Sequence, residues 1–326
     1  MDLNFSPFPS SISTGHRDEE SVKVLILGSG PAGLAAALYT ARANLSPVVL
    51  SGIQLGGQVA LTYHVENYPG FPEGVGGMQL VELFQKQAER FGARVEFDSA
   101  ASVDLSTRPF RVMTQNDRLY LAETIIVTTG ASANHLNVPG EAELTGRGVS
   151  YCATCDGWFF KGKEVLVVGG GDSALEESLF LTRYAESVTI VHRRDQLRAG
   201  TILQERARQN PKIHFLWNSR LTAISGRQTV EKVRVQDSIT GEETEHPTQG
   251  VFIFIGHSPN TELFAGQLEM DARGYLEVDA LMRTNIPGVF AAGEVADAHF
   301  RQVITSAGMG AAAGIAAQRF LDEHTP

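Results

Sequence analysis

What this chain has little of narrows it first. Of 326 residues only two are cysteine, Cys152 and Cys155, with two residues between them. Secreted disulfide scaffolds are short and cysteine-dense, so that class is excluded. A four-cysteine zinc site is excluded too, because no second pair exists to complete it. Positive charge is short as well: 27 Lys plus Arg stand against 37 Asp plus Glu, a net charge of −10. That argues against a face built to clamp nucleic acid or an anionic membrane. No window approaches the roughly 18 apolar residues of a membrane span. Residues 1–21 have neither the basic start nor the apolar run of a signal peptide. They read as a flexible leader, and the chain as cytoplasmic.

Length gives a prior of about two domains, and an internal repeat gives their outline. Val22–Leu27 is a continuous apolar run, the mark of a strand buried on both faces. It enters Gly28-Ser29-Gly30-Pro31-Ala32-Gly33 and an Ala/Leu-rich helix to about Ala43, with a second strand at Pro47–Leu50. Pro31 suits a helix first turn, where its missing N–H costs nothing. Met78–Phe91 has helical apolar spacing, and a β-rich stretch runs from Arg94 to Val127. At Glu164–Val168 the pattern returns: strand, Gly169-Gly170-Gly171-Asp172-Ser173-Ala174, a helix to about Ala185, and a strand at Val188–Val191. Another β-rich stretch, Ile213–Ile255, follows. A strand at Val289–Ala292 and a small-residue helix at Ser306–Leu321 close the chain.

Both loops have dinucleotide-fingerprint spacing. The first glycine makes the tight turn, the second admits a pyrophosphate, and the third small residue brings helix against strand. The helix N-terminus offers free N–H groups and a positive dipole to the phosphates. What ends each second strand separates the ligands. An NAD site wants an acid there to hold the ribose hydroxyls. The first strand ends Leu50-Ser51, with no acid; the second ends His192-Arg193-Arg194. Two guanidiniums suit a 2′-phosphate, so the second loop reads as NADP-binding rather than as a solvated basic cluster or a nucleic-acid contact. The first loop's ligand stays open at this level.

The cysteine pair admits three readings: a redox dithiol, half of a mixed metal site, or inert thiols. None of the nine histidines is paired at ligand spacing, which counts against a metal. Asp156 directly after Cys155 is placed either to move a proton or to cap a helix. Trp158, Phe159 and Phe160 form either a docking wall or core packing.

The motif Cys152-Ala153-Thr154-Cys155-Asp156 lies just before the second glycine loop. With GSGPAG at 28–33, GGQ at 56–58, HRRD at 192–195, HSPNT at 257–261 and RQVITSAG at 301–308, it resembles the bacterial-type thioredoxin reductases from about residue 22 to 321. That resemblance implies an α/β fold of two Rossmann-like, three-layer ββα dinucleotide-binding domains, the second inserted into the first. The FAD domain would be 22–135 with 262–326, and the NADPH domain 136–261 would carry the redox pair. FAD would meet Gly28, Ser29, Gly30, Pro31, Ala32 and Gly33, then Gly57, Gln58, Asn67 and Gly130. From the C-terminal segment it would meet Gly293, Glu294, Arg301, Gln302 and Ser306. NADPH would meet Gly169, Gly171, Asp172 and Ser173, then His192, Arg193, Arg194, Arg198 and Gly256. Cys152 and Cys155 would be the redox centre, Cys155 the flavin-facing sulfur and Asp156 the acid/base. The partner would be thioredoxin or a relative, and the enzyme a homodimer. One departure shows: the family usually has Asp where this chain has Glu294, which keeps the carboxylate and adds a methylene.

Other readings of the same residues are a relative using ferredoxin or running as a dithiol oxidase, and a non-catalytic redox sensor. A peroxide-system reductase of the family would need an N-terminal domain larger than this leader. Because the dithiol and the nicotinamide loop share the inserted domain, that domain is expected to swing between two positions, with Gly130 and Gly256 beside the hinges.

Overall fold

The computed structural model describes residues 18–52, 55–62 and 64–324, so most of the expected leader lies outside the described residues. Its last residues are not leader. Glu19, Glu20 and Ser21 extend the first strand, Glu19–Leu27, and pair with Leu119, Tyr120 and Leu121. Their side chains are polar, so apolar patterning could not include them; main-chain pairing with the neighbouring strand does.

The chain divides into two compact units, one reaching to Ser132 and resuming at Pro259, the other running from Ala133 to Ser258. In the first unit the sheet order is Arg94–Glu96, Val48–Leu50, Glu19–Leu27, Leu119–Val127, Phe110–Thr114, Ala100–Asp104. The long strand Leu119–Val127 serves two partners. Its start pairs antiparallel with Phe110–Thr114, and its end pairs parallel with Val289–Ala291. That end is how the C-terminal segment rejoins the unit.

Alternate residues of the first strand feed different cores. Val24 and Ile26 face Ala32, Ala36 and Ala37 of the helix Pro31–Arg42; Leu25 and Leu27 face Phe110, Tyr120 and Phe264. A strand buried on both faces reads as a continuous apolar run for this reason. The helix Val303–His324 lies against Pro31–Arg42 through small residues. A Cβ on Gly310 would stand 2.0 Å from the Ala32 carbonyl oxygen.

The second unit repeats the plan. A parallel sheet runs Ile213–Leu216, Ser187–Val191, Glu164–Gly169, Gly250–Phe254, Val149–Ser150, and a separate antiparallel sheet is formed by Ser219–Ser225, Lys232–Asp237 and Glu243–Pro247. Val165 and Val167 face the helix side, while Leu166 and Val168 face Val233 and Val235. The helix after the second loop, Asp172–Leu181, stops short of the expected Ala185. A helix at Thr201–Gln209 was not legible in the apolar spacing; only Ala207 is buried on it.

Candidate functional site

The first glycine loop is closed from several directions. Gly28 has φ +115, and a Cβ there would stand 2.3 Å from the Thr128 carbonyl oxygen. A Cβ on Gly33 would stand 2.0 Å from the Gly28 carbonyl oxygen, so helix and strand can approach only with glycine here. Around Gly30, by contrast, a Cβ would meet nothing within 4 Å. No side chain caps the helix that Gly30 opens, which leaves its first N–H groups for an anion. Ser29 is buried and engaged with the protein: its hydroxyl donates to the Ser51 carbonyl (3.0 Å) and accepts the Gly56 N–H (3.0 Å). It thereby ties the loop to the segment carrying Gly57, whose Cβ direction points at Gly30 Cα, 3.7 Å away.

The C-terminal segment completes this site. Gly293, at φ +79, approaches Ala32 so closely that a Cβ would stand 2.8 Å from the alanine's own. Gln58 Nε2 donates to the Ala131 carbonyl and, at 3.4 Å, to Glu294 Oε2. Asn67 Nδ2 donates to Gln302 Oε1 (3.2 Å), and Ser306 is buried beside Gly293. Burial pushes the Glu294 carboxyl up to about 7; the Arg301 charge opposes the rise and the Asp297 charge adds to it. Asp297 in turn accepts the His299, Phe300 and Arg301 N–H groups, shaping the turn before the last helix. Gly130 accepts the Asn260 N–H at the chain crossing.

The second loop has the same skeleton and a more open setting. Gly169 would clash with the Phe254 carbonyl and Ala174 if it bore a Cβ, whereas Gly171 has open space and begins an uncapped helix. Asp172 accepts the Gly200 N–H at 2.7 Å, and the Arg198 N–H donates to the Gly170 carbonyl at 2.7 Å. Both residues therefore hold the loop from outside. His192 is buried with its two ring nitrogens on the Gly169 and Gln196 carbonyls (3.1 and 3.0 Å). Burial pulls its pKa down against those two hydrogen bonds, which favour the proton. Its contacts make it a support of the loop. Arg193, Arg194, Arg198 and Ser173 are exposed, and among the described residues no carboxylate forms an ion pair with the three arginines. Gly256, at φ +110, sits at the other crossing, where its carbonyl accepts the Asn134 N–H.

Cys152 and Cys155 form a disulfide, Cα to Cα 5.3 Å, at the start of the short helix Ala153–Asp156. Cys152 Sγ accepts the Cys155 N–H at 3.2 Å and lies 3.3 Å from Thr154 Oγ1. Asp156 caps nothing: its Oδ2 accepts the Ser150 hydroxyl at 2.6 Å. Burial pushes its carboxyl above the usual range, and the Ser150 hydrogen bond holds it back. The aromatic run splits. Phe160 is core, edge-on to Phe252, while Trp158 and Phe159 are exposed, Trp158 against Tyr184 with Lys161 over its ring.

Sequence reasoning passed over Ser150, Thr128 and Glu177, whose carboxylate accepts the Ala153 N–H. Nothing in local spacing marks them, because each meets its site through a partner that packing alone brings near. Among the described residues no helix is long and apolar enough to cross a membrane, and no three His, Cys, Asp or Glu are grouped to hold a metal.

Comparison with known proteins agrees with the site's chemistry. The pyridine nucleotide-disulphide oxidoreductase family matches residues 22–310. A thioredoxin reductase of Mycolicibacterium smegmatis is 50% identical over 301 residues, 92% of this chain and 96% of its own. A bifunctional thioredoxin reductase/thioredoxin of Mycobacterium leprae is 47% identical over 97% of this chain and 68% of its own. The crystal structure of thioredoxin reductase from Streptococcus pyogenes matches with a TM-score of 0.89 at 43% identity, covering 93% of this chain and 99% of that one.

Proposed function

The chain belongs to the pyridine nucleotide-disulphide oxidoreductases, in their thioredoxin reductase branch, and on that premise we propose how its two units divide the reaction. It is an NADPH-dependent flavoprotein disulfide reductase. The first unit holds FAD; the inserted unit holds NADPH and carries the redox pair. When bound, the two cofactors supply hydride and two-electron transfer to the Cys152–Cys155 disulfide, and the resulting dithiol reduces the disulfide of thioredoxin or a close relative. The observation that carries this reading is the disulfide beside a half-buried, hydrogen-bonded Asp156, in the unit whose glycine loop is lined by free arginines.

Each residue's part follows from its setting. The open sides of Gly30 and Gly171, at two uncapped helix starts, accept the pyrophosphates. Arg193 and Arg194 hold the 2′-phosphate, with His192, Asp172 and the Arg198 main chain bracing the loop beneath them. Gln58, Glu294 and Asn67 would hold the FAD of the first unit. A thiolate of the reduced pair attacks the partner disulfide while the other resolves the mixed disulfide, and Asp156, its carboxyl raised by burial, carries the proton. Trp158 and Phe159 offer exposed aromatic surface next to the pair for the partner. The inserted unit is expected to swing between donor and acceptor positions, with Gly130 and Gly256, both at positive φ, beside the crossings; an engineered crosslink between the units should abolish turnover, and unchanged turnover would overturn the swing. The family further implies a cytoplasmic location and a homodimer, the latter checked by light scattering of the purified enzyme.

The assay is NADPH oxidation by the purified protein with and without oxidised thioredoxin. Oxidation should require thioredoxin and vanish in Cys155→Ser, whose flavin NADPH still bleaches. Bleaching without turnover in the unaltered protein would point to another acceptor or a sensor; no bleaching would point to another donor.

A further inference from the structure

Ser150 lies just ahead of the redox pair and is itself buried at 4% exposure. Its oxygen has three neighbours: Asp156 Oδ2 at 2.6 Å, the Cys152 N–H at 3.1 Å and the Cys152 carbonyl at 3.2 Å. A hydroxyl has one proton to give and lone pairs to receive. It therefore cannot donate to Asp156 and to the Cys152 carbonyl at once, although both stand within reach. The Cys152 N–H occupies one lone pair whichever way the proton points.

We propose that Ser150 is a positioning residue whose hydroxyl reverses direction as Asp156 gains and loses its proton. With Asp156 ionised, the Ser150 hydroxyl donates to the carboxylate. With Asp156 protonated, the acid donates to Ser150 Oγ, and the serine proton turns to the Cys152 carbonyl. No buried polar atom is stranded in either state, so the redox loop keeps its shape while the proton moves. The Cys152 main chain feels the change directly through the same oxygen.

The surroundings leave this hydroxyl as the main polar control on Asp156. The carboxyl is pushed up by burial, and Ser150 is the group that opposes the rise. The strand beside Val149–Ser150, Gly250–Phe254, carries no titratable side chain. From the helix Asp172–Leu181, the Glu177 carboxylate accepts the Ala153 N–H at 3.1 Å. On the near side Glu141 accepts the Tyr151 hydroxyl at 2.8 Å and the Leu136 N–H at 3.0 Å.

This inference rests on Asp156 being the proton carrier, and the test separates the two. The infrared carbonyl band of protonated Asp156 is followed against pH in the oxidised holoenzyme and assigned by its loss in Asp156→Asn. In Ser150→Ala the midpoint should rise by roughly one pH unit, the effect of removing a hydrogen bond to a charged group. The band should also move to higher frequency as that bond is lost. Ser150→Thr, which keeps a hydroxyl, should restore both. A Ser150→Ala midpoint and band equal to the unaltered enzyme's would overturn the role of Ser150, as would a threonine variant that behaves like alanine. If instead Asp156→Asn leaves thioredoxin turnover and its pH profile unchanged, the acid/base reading of Asp156 falls, and the role assigned to Ser150 falls with it.

Discussion

The two glycine loops share a strand, a tight turn and an uncapped helix, yet their settings differ. The first is closed in by distant segments: Thr128 against Gly28, Gly56 bonded to Ser29, Gly293 against Ala32, and the Gln58–Glu294 contact. The second is braced from below by His192, Asp172 and Arg198, while its arginines face solvent. On the proposed division of the two cofactors, the packed setting of the first loop suits a group that stays bound, and the exposed arginines of the second suit one that exchanges each turnover. On that proposal the same local motif serves a resident group in one unit and a passing substrate in the other, and its surroundings make the difference.

The sharpest way to break that contrast is at the glycines. Gly33→Ala places a Cβ 2.0 Å from a backbone oxygen that cannot move cheaply, so the purified variant should lack the flavin absorbance near 450 nm. Gly171→Ala meets open space, so it should keep its flavin and raise the KM for NADPH several-fold. Full flavin content in Gly33→Ala would dissolve the distinction. Next in size, Arg193→Ala with Arg194→Ala should lower kcat/KM for NADPH by about 10²-fold, through KM, each charged hydrogen bond being worth about 1.5–3 kcal/mol. NADH turnover should hardly change; an equal loss with NADH would mean that the arginines hold the fold and do not read the 2′-phosphate. The smallest effect concerns Glu294. A carboxyl whose folded pKa is raised from 4.5 to about 7 binds more protons folded than unfolded between those values. Its contribution to stability is therefore present at low pH and lost as pH rises through that window. The thermal midpoint of the unaltered protein should fall relative to Glu294→Gln between pH 4.5 and 7, on the order of a few degrees, and run parallel to it above. Parallel curves throughout would show that Glu294 is not held in a dry site.

Much of this was legible beforehand because it is local. Strands buried on both faces announce themselves as apolar runs, and glycines that must turn or approach closely sit at fixed spacing within one strand–helix unit. The polar start of the first strand escaped notice, since Glu19–Ser21 are held by pairing with Leu119–Leu121 and carry no apolar signature. The helix Thr201–Gln209 escaped for a related reason: with Ala207 its one buried residue, it has almost no apolar face to read. His192 was legible as part of a cofactor motif, but its burial and its two carbonyl partners were not, because Gly169 and Gln196 reach it from different directions only after folding.

The sequence by itself determined the chemistry on offer: two glycine loops, a basic strand end after one of them, and a lone Cys-x-x-Cys followed by an acid. These are short-range facts, and residue identity at fixed spacing is enough to state them. Tertiary structure decided which groups act on that chemistry. It brought Ser150 onto Asp156, Gln58 onto Glu294 and Ser29 onto Gly56, and it dried the carboxyls enough to raise them. Burial and long-range hydrogen bonding set a proton's affinity, and both arise from residues far apart in the chain.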